Sequence, residues 1–152
     1  MKILLATDGS KTGMAAMEAL QTLALHDGDK IKIVCIVDFI VPLAVDIYGG
    51  YLPDTTEFAK AAKENAEKVM EETGNRVRGY FSGRDLEITT DVLFGTPESR
   101  IVETAEEMGS DLIVLGSHGY NRWEKLLLGS VSDSVIHHAH CSVLVVRAKA
   151  SE

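Results

Sequence analysis

The hydrophobic positions along this chain change period repeatedly, and each change marks an element. Residues 2–7 are an apolar run, the pattern of a strand buried on both faces. Over residues 11–25 the spacing becomes helical, with Ala16, Leu20, Leu23 and Ala24 on one face. Lys30-Ile31-Lys32-Ile33-Val34-Cys35-Ile36-Val37 is a second strand. Residues 54–81 predict a long helix with Ala62, Ala66, Val69 and Met70 inward and a solvated face of Lys and Glu. Residues 86–93 alternate strictly, Leu86, Ile88, Thr90 and Val92 against Glu87, Thr89 and Asp91, as in a half-exposed strand near a sheet edge. Thr96-Pro97-Glu98 then opens a helix with proline at its first position and an acid in its first turn. Ile101, Val102, Ala105 and Met108 form its apolar face, and Gly109 is its stop. Residues 111–116 and 142–147 are the fourth and fifth strands, separated by a helical pattern at Val131, Val135, Ile136 and Ala139. Strands alternating with helices imply parallel connections and an α/β architecture.

One connection breaks this rhythm. Residues 38–53 form a long apolar link carrying Phe39, Ile47, Tyr48 and Tyr51. Links of this length are often functional. Two readings stand: a lid or partner surface, or a loop covering the sheet edge.

Composition narrows the class. At 152 residues the chain predicts one domain, residues 1–152, able to bury a core without staples. The net charge of −8 argues against nucleic-acid and anionic-membrane partners, but not against a local phosphate site built from backbone amides. The chain has no apolar run long enough to span a bilayer, and the opening apolar stretch is too short for a signal peptide. Cys35 and Cys141 lie apart within apolar runs, which predicts buried thiols in a reducing, cytoplasmic setting.

Candidate chemistry concentrates after the fourth strand. Gly116-Ser117-His118-Gly119 follows the apolar run, and nine residues later Gly129-Ser130 starts a helix. Glycines let backbone N–H groups approach an anion, and a helix N-terminus attracts negative charge. The bland alternative is a tight turn followed by a serine helix cap. In open α/β sheets ligands bind beyond the carboxyl ends of the strands. Asp8 and Asp38 follow the first two strands. If strands one and four are neighbours, Asp8 faces the glycine loop, where it could hold a ribose hydroxyl or Mg²⁺ through water. It competes with Ser10 for the cap of the first helix, and Asp38 reads as structural. His118 could donate to phosphate or simply pack, and Arg122 and Lys125 are the cations nearest the loop. Trp123 reads as buried against the domain. His137, His138 and His140 lack the spacing and companions of a metal site and suit the negative end of a helix. P-loop, Gly-x-Gly-x-x-Gly and nucleophile-elbow motifs are missing.

Taken together, Gly116-x-x-Gly119-x9-Gly129-Ser130, the opening Ile3-Leu4-Leu5-Ala6-Thr7-Asp8-Gly9-Ser10, Gly95-Thr96-Pro97 and the closing Cys141-Ser142-Val143-Leu144-Val145-Val146-Arg147 resemble the ATP-binding subgroup of universal stress proteins. The resemblance spans the chain in order. It implies a Rossmann-like open parallel sheet of order 3-2-1-4-5 with helices on both faces. It implies ATP in the crevice, where Asp8 is the candidate Mg²⁺ ligand read above. Ala6, Thr7 and Asp8 would line the adenosine side, and Val37 would meet adenine through its backbone. Leu115, Gly116, His118, Gly119 and Arg122 would wrap ribose and phosphates, and Gly129, Ser130, Val131 and Ser132 would hold the phosphates. Tyr120-Asn121-Arg122 depart from the family's usual basic and glycine residues after the loop. The family also implies a homodimer through the strand at 142–147 and, at most, slow hydrolysis. An ATP-hydrolysing or nucleotidyl-transfer enzyme, and an interaction module acting through 38–53, are the alternatives.

Overall fold

A computed structural model describes residues 1–38, 55–118 and 128–148. The strands are β1 (Lys2–Ala6), β2 (Lys30–Val37), β3 (Glu87–Phe94), β4 (Leu112–Gly116) and β5 (Ser142–Val146). They form one sheet in the order β3-β2-β1-β4-β5, with every neighbouring pair parallel. The helices are α1 (Lys11–Ala19), α2 (Thr55–Tyr80), α3 (Pro97–Met108) and α4 (Ser130–His138).

Strand periodicity splits the core into two layers. Ile3 and Leu5 of β1, Ile31, Ile33 and Cys35 of β2, and Val114 of β4 pack with α1 and α2 on one face. Leu4 and Ala6, Val34, and Ile113 and Leu115 pack with α3 and α4 on the other. Side chains alternate across a strand, so only strands apolar at both parities can be covered on both faces. β3 lies at the edge, as its alternation predicts. Its polar positions meet lysines of β2: Lys30–Glu87 at 2.6 Å, exposed, and Lys32–Asp91 at 3.5 Å, half-buried; such surface pairs contribute roughly 0–1 kcal/mol each.

The structure corrects several expectations in detail. The first helix stops at Ala19 and continues only as a 3₁₀ turn, Leu20–Thr22. The Thr22 hydroxyl donates to the Ala19 carbonyl at 2.7 Å, Leu23 turns extended, and Ala24 is left exposed. Ala62 is exposed as well, because the inward stripe of α2 begins only at Ala66 and runs through Met70, Thr73 and Val77. Cys35 is buried but Cys141 only half so. Gly109 ends α3 in the left-handed conformation, φ 60°, as expected of a helix stop.

Candidate functional site

A cavity of about 410 Å³ opens at the carboxyl ends of β2, β1 and β4, where the strand order reverses. Its middle is built from the end of β1. Ala6, Thr7 and Asp8 all line it. Gly9, at φ 78°, turns the chain out of the strand, and the turn is pinned by two local bonds. The Thr7 hydroxyl accepts from the Gly9 N–H at 3.2 Å, and the Asp8 carboxylate accepts from the Ser10 N–H at 2.9 Å. Ser10, not Asp8, caps α1, accepting from the Gly13 N–H at 3.2 Å. Asp8 is thereby held at the cavity with one oxygen engaged.

The β4 side carries Leu115, Gly116, Ser117 and His118. Ser117 continues the ladder, its N–H donating to Val146 at 2.8 Å. Its carbonyl then accepts from the Gly129 N–H at 2.8 Å and from the Ser132 hydroxyl at 3.1 Å. These bonds tie the start of α4 to the end of β4. Gly129, Ser130, Val131 and Ser132 consequently line the cavity too. Gly129 is the N-cap and Ser130 the first helical residue, and no side chain caps the N-terminus, whereas a serine cap was one of the sequence readings. The first-turn N–H groups and the positive end of the helix dipole therefore stand at the cavity without a side-chain cap.

The glycines have a second reason to be glycine. A Cβ on Gly116 would come within 2.7 Å of the Thr12 carbonyl carbon and 2.8 Å of its oxygen. One on Gly129 would sit 3.0 Å from the Ser117 oxygen. Each glycine thus lets a helix start close against β4. The Thr12 hydroxyl completes the contact by donating to the His118 carbonyl.

On the β2 side the placement differs from the expectation. Ile36 and Asp38 line the cavity, and Val37 does not. The Val37 side chain packs into the opposite layer, and its carbonyl accepts from the Gly95 N–H at 3.1 Å. Pro97 and Ile101 of α3 close this end. Period-2 alternation could have distinguished Ile36 from Val37. Asp38, read as structural, could have been found by its place one residue past a strand end. Gly119, Arg122, Lys125 and Trp123, and all but the first residue of the 38–53 segment, lie outside the described residues.

Two features frame the site without joining it. Burial first, and the charge of Asp8 second, push the Cys35 thiol up to about 11. His137 and His138 each bond a carbonyl one turn back, at 2.8 Å, and no metal-holding cluster occurs among the described residues.

An open parallel sheet with helices on both faces and a cavity at its switch point defines a Rossmann-like fold. The sequence profile of the universal stress protein family matches residues 1–147. A universal stress protein of Methanocaldococcus jannaschii is 32% identical over 151 residues, covering 99% of this chain and 84% of the relative. This chain belongs to the universal stress protein family. Solved structures share its fold. One is a family protein from Arabidopsis thaliana with AMP bound, at TM-score 0.68 and 15% identity, covering 99% of this chain and 93% of that one. Another is a universal stress protein in complex with cAMP, at TM-score 0.62 and 24% identity, covering 98% of each.

Proposed function

We propose that this protein binds an adenine nucleotide in the cavity, with ATP and Mg²⁺ as the working pair, and acts as a nucleotide-dependent regulator in stress responses. The observation that carries the reading is the position of α4. Its N-terminus, free of a side-chain cap, stands at one end of a cavity whose other end is lined by Ile36, Pro97 and Ile101, with Asp38 beside them. Phosphate suits the first end and a purine the second. The AMP and cAMP complexes of the two structural relatives support the choice of base.

In this reading the N–H groups of residues 130 to 132 and the Ser130 hydroxyl hold phosphate oxygens, joined by His118 and by Gly119 and Arg122 of the loop, while the Ser132 hydroxyl stays on the Ser117 and Gly129 carbonyls. Ala6, Thr7 and Asp8 face the ribose, Leu115 packs beneath it, and the base lies toward Ile36 rather than Val37. A single carboxylate beside phosphates is a common way to hold Mg²⁺, and Asp8, with one oxygen engaged by Ser10, fits that donor set. Bound Mg²⁺ would neutralise phosphate charge. Residues 1–152 act as one domain in the cytoplasm, a setting that suits two free thiols. Hydrolysis in this reading is slow at most, and His118, whose Nδ1 meets the Ser117 hydroxyl at 3.0 Å, serves the phosphates rather than a water.

The test is mass analysis of nucleotide released from freshly purified protein, followed by calorimetric titration. ATP is expected to bind more tightly than GTP. Asp8→Asn is expected to weaken binding more with Mg²⁺ present than in chelator. No nucleotide binding with Mg²⁺ present would overturn the proposal and favour a protein-interaction module.

A further inference from the structure

We infer that Asp38 reads the base: its carboxylate accepts a hydrogen bond from the exocyclic amine of adenine and so sets the preference of the cavity among purine nucleotides. The inference rests on the adenine-nucleotide reading and adds a specificity-determining residue to it.

Placement comes first. β4, β1 and β2 lie side by side, so the cavity runs across two strand spacings, roughly 10 Å. The phosphate end is fixed beside β4 by the bonds from Gly129 and Ser132 to the Ser117 carbonyl. A nucleotide anchored there must direct its base toward the end of β2. At that end alternation turns Val37 into the opposite layer and leaves Ile36 and Asp38 on the cavity. Ile36, Pro97 and Ile101 line this end together, and they offer an apolar surface for a flat ring.

Such a surface gives affinity without discrimination. Apolar contact separates ring isosteres poorly, whereas a polar group that must find a partner separates them well. Among the described residues at this end, Asp38 supplies the charged side chain. An ionised carboxylate only accepts hydrogen bonds, so it demands a donor on the base edge. Adenine offers its exocyclic amine. The 6-oxo purines place a carbonyl oxygen at the same position, and in the same pose acceptor would face acceptor. Asp38 is exposed, so water competes for it and the discrimination is modest, about tenfold.

The experiment titrates AMP and its 6-oxo analogue IMP into wild type and Asp38→Asn by calorimetry, with circular dichroism to confirm the fold. Wild type is expected to bind AMP about tenfold more tightly than IMP. Asparagine keeps the shape but adds a donor, so the variant is expected to hold AMP more weakly and IMP more strongly, bringing the ratio near one. An AMP-to-IMP ratio unchanged by Asp38→Asn overturns the inference while leaving the nucleotide site standing. So does an equal gain for both nucleotides, which would mark Asp38 as a mere repulsive charge. Failure of wild type to bind any adenine nucleotide overturns the function proposed above, and this inference with it.

Discussion

A methyl group at position 116 would press on the Thr12 backbone at 2.7 Å. Backbone cannot swing aside as a flexible side chain can, so Gly116→Ala is expected to push α1 away from β4. The expected cost is about 1–3 kcal/mol, read as a lower urea midpoint, and an unchanged midpoint would contradict the packing described. The sequence made these glycines visible and suggested two reasons for them, close approach to an anion or a tight turn. The helix-on-strand contact became visible only when Thr12 met residue 116. Cys35 gives a pH prediction. Its folded thiol is pushed up to about 11, mainly by burial and then by Asp8. The folded state therefore keeps a proton that the unfolded chain releases sooner. The associated stability is complete below about pH 8.5, the usual thiol range, and declines as pH rises toward 11. Cys35→Ser should flatten that alkaline decline in denaturant titrations. Native Cys35 should also resist thiol reagents at neutral pH, and rapid labelling of the folded protein would contradict its burial.

Among the elements, boundaries were legible to within a residue wherever periodicity was strong. β3 and α3 illustrate this, the latter bracketed by Pro97 and by Gly109 in the left-handed conformation. The misses have particular causes. Ala24 and Ala62 continue an apolar stripe, but a stripe says which way a residue points, not whether the sheet reaches that far. At α1 the Thr22 hydroxyl takes the Ala19 carbonyl and the helix tightens and ends. The start of α4 hangs on Ser132, whose buried hydroxyl lies 2.9 Å from the Gly129 carbonyl and 3.1 Å from that of Ser117. Ser132→Ala should leave the helix formed but loosen its tie to β4. The expected loss is about 1 kcal/mol of stability, with a larger proportional loss of nucleotide affinity than of stability. Equal affinity in the variant would mean that this tie does not position the phosphate end.

For the whole molecule, alternation of strands and helices announced a parallel α/β sheet, but alternation alone does not order strands. The order came from family resemblance, and the structure bears it out. That order leaves β5 at an edge, carrying Val143, Leu144, Val145 and Val146. The Val146 carbonyl faces β4, where it accepts from Ser117, so the backbone groups of Val145 point outward. A long apolar edge invites pairing with a second copy, and we expect a homodimer through residues 142–147. Val145→Pro removes an outward donor without touching the β4 ladder, so it should shift dimer toward monomer in analytical ultracentrifugation. A wild-type monomer at high micromolar concentration would contradict this. The central claim is that the α4 end of the cavity holds nucleotide phosphate. It is tested most directly by titrating ATP with Mg²⁺ into wild type and Gly129→Val, whose side chain would crowd the Ser117 carbonyl at the start of α4. The account predicts one ATP per wild-type chain and at least about tenfold weaker binding in a variant that remains folded by circular dichroism. ATP binding of equal strength in both proteins would contradict it.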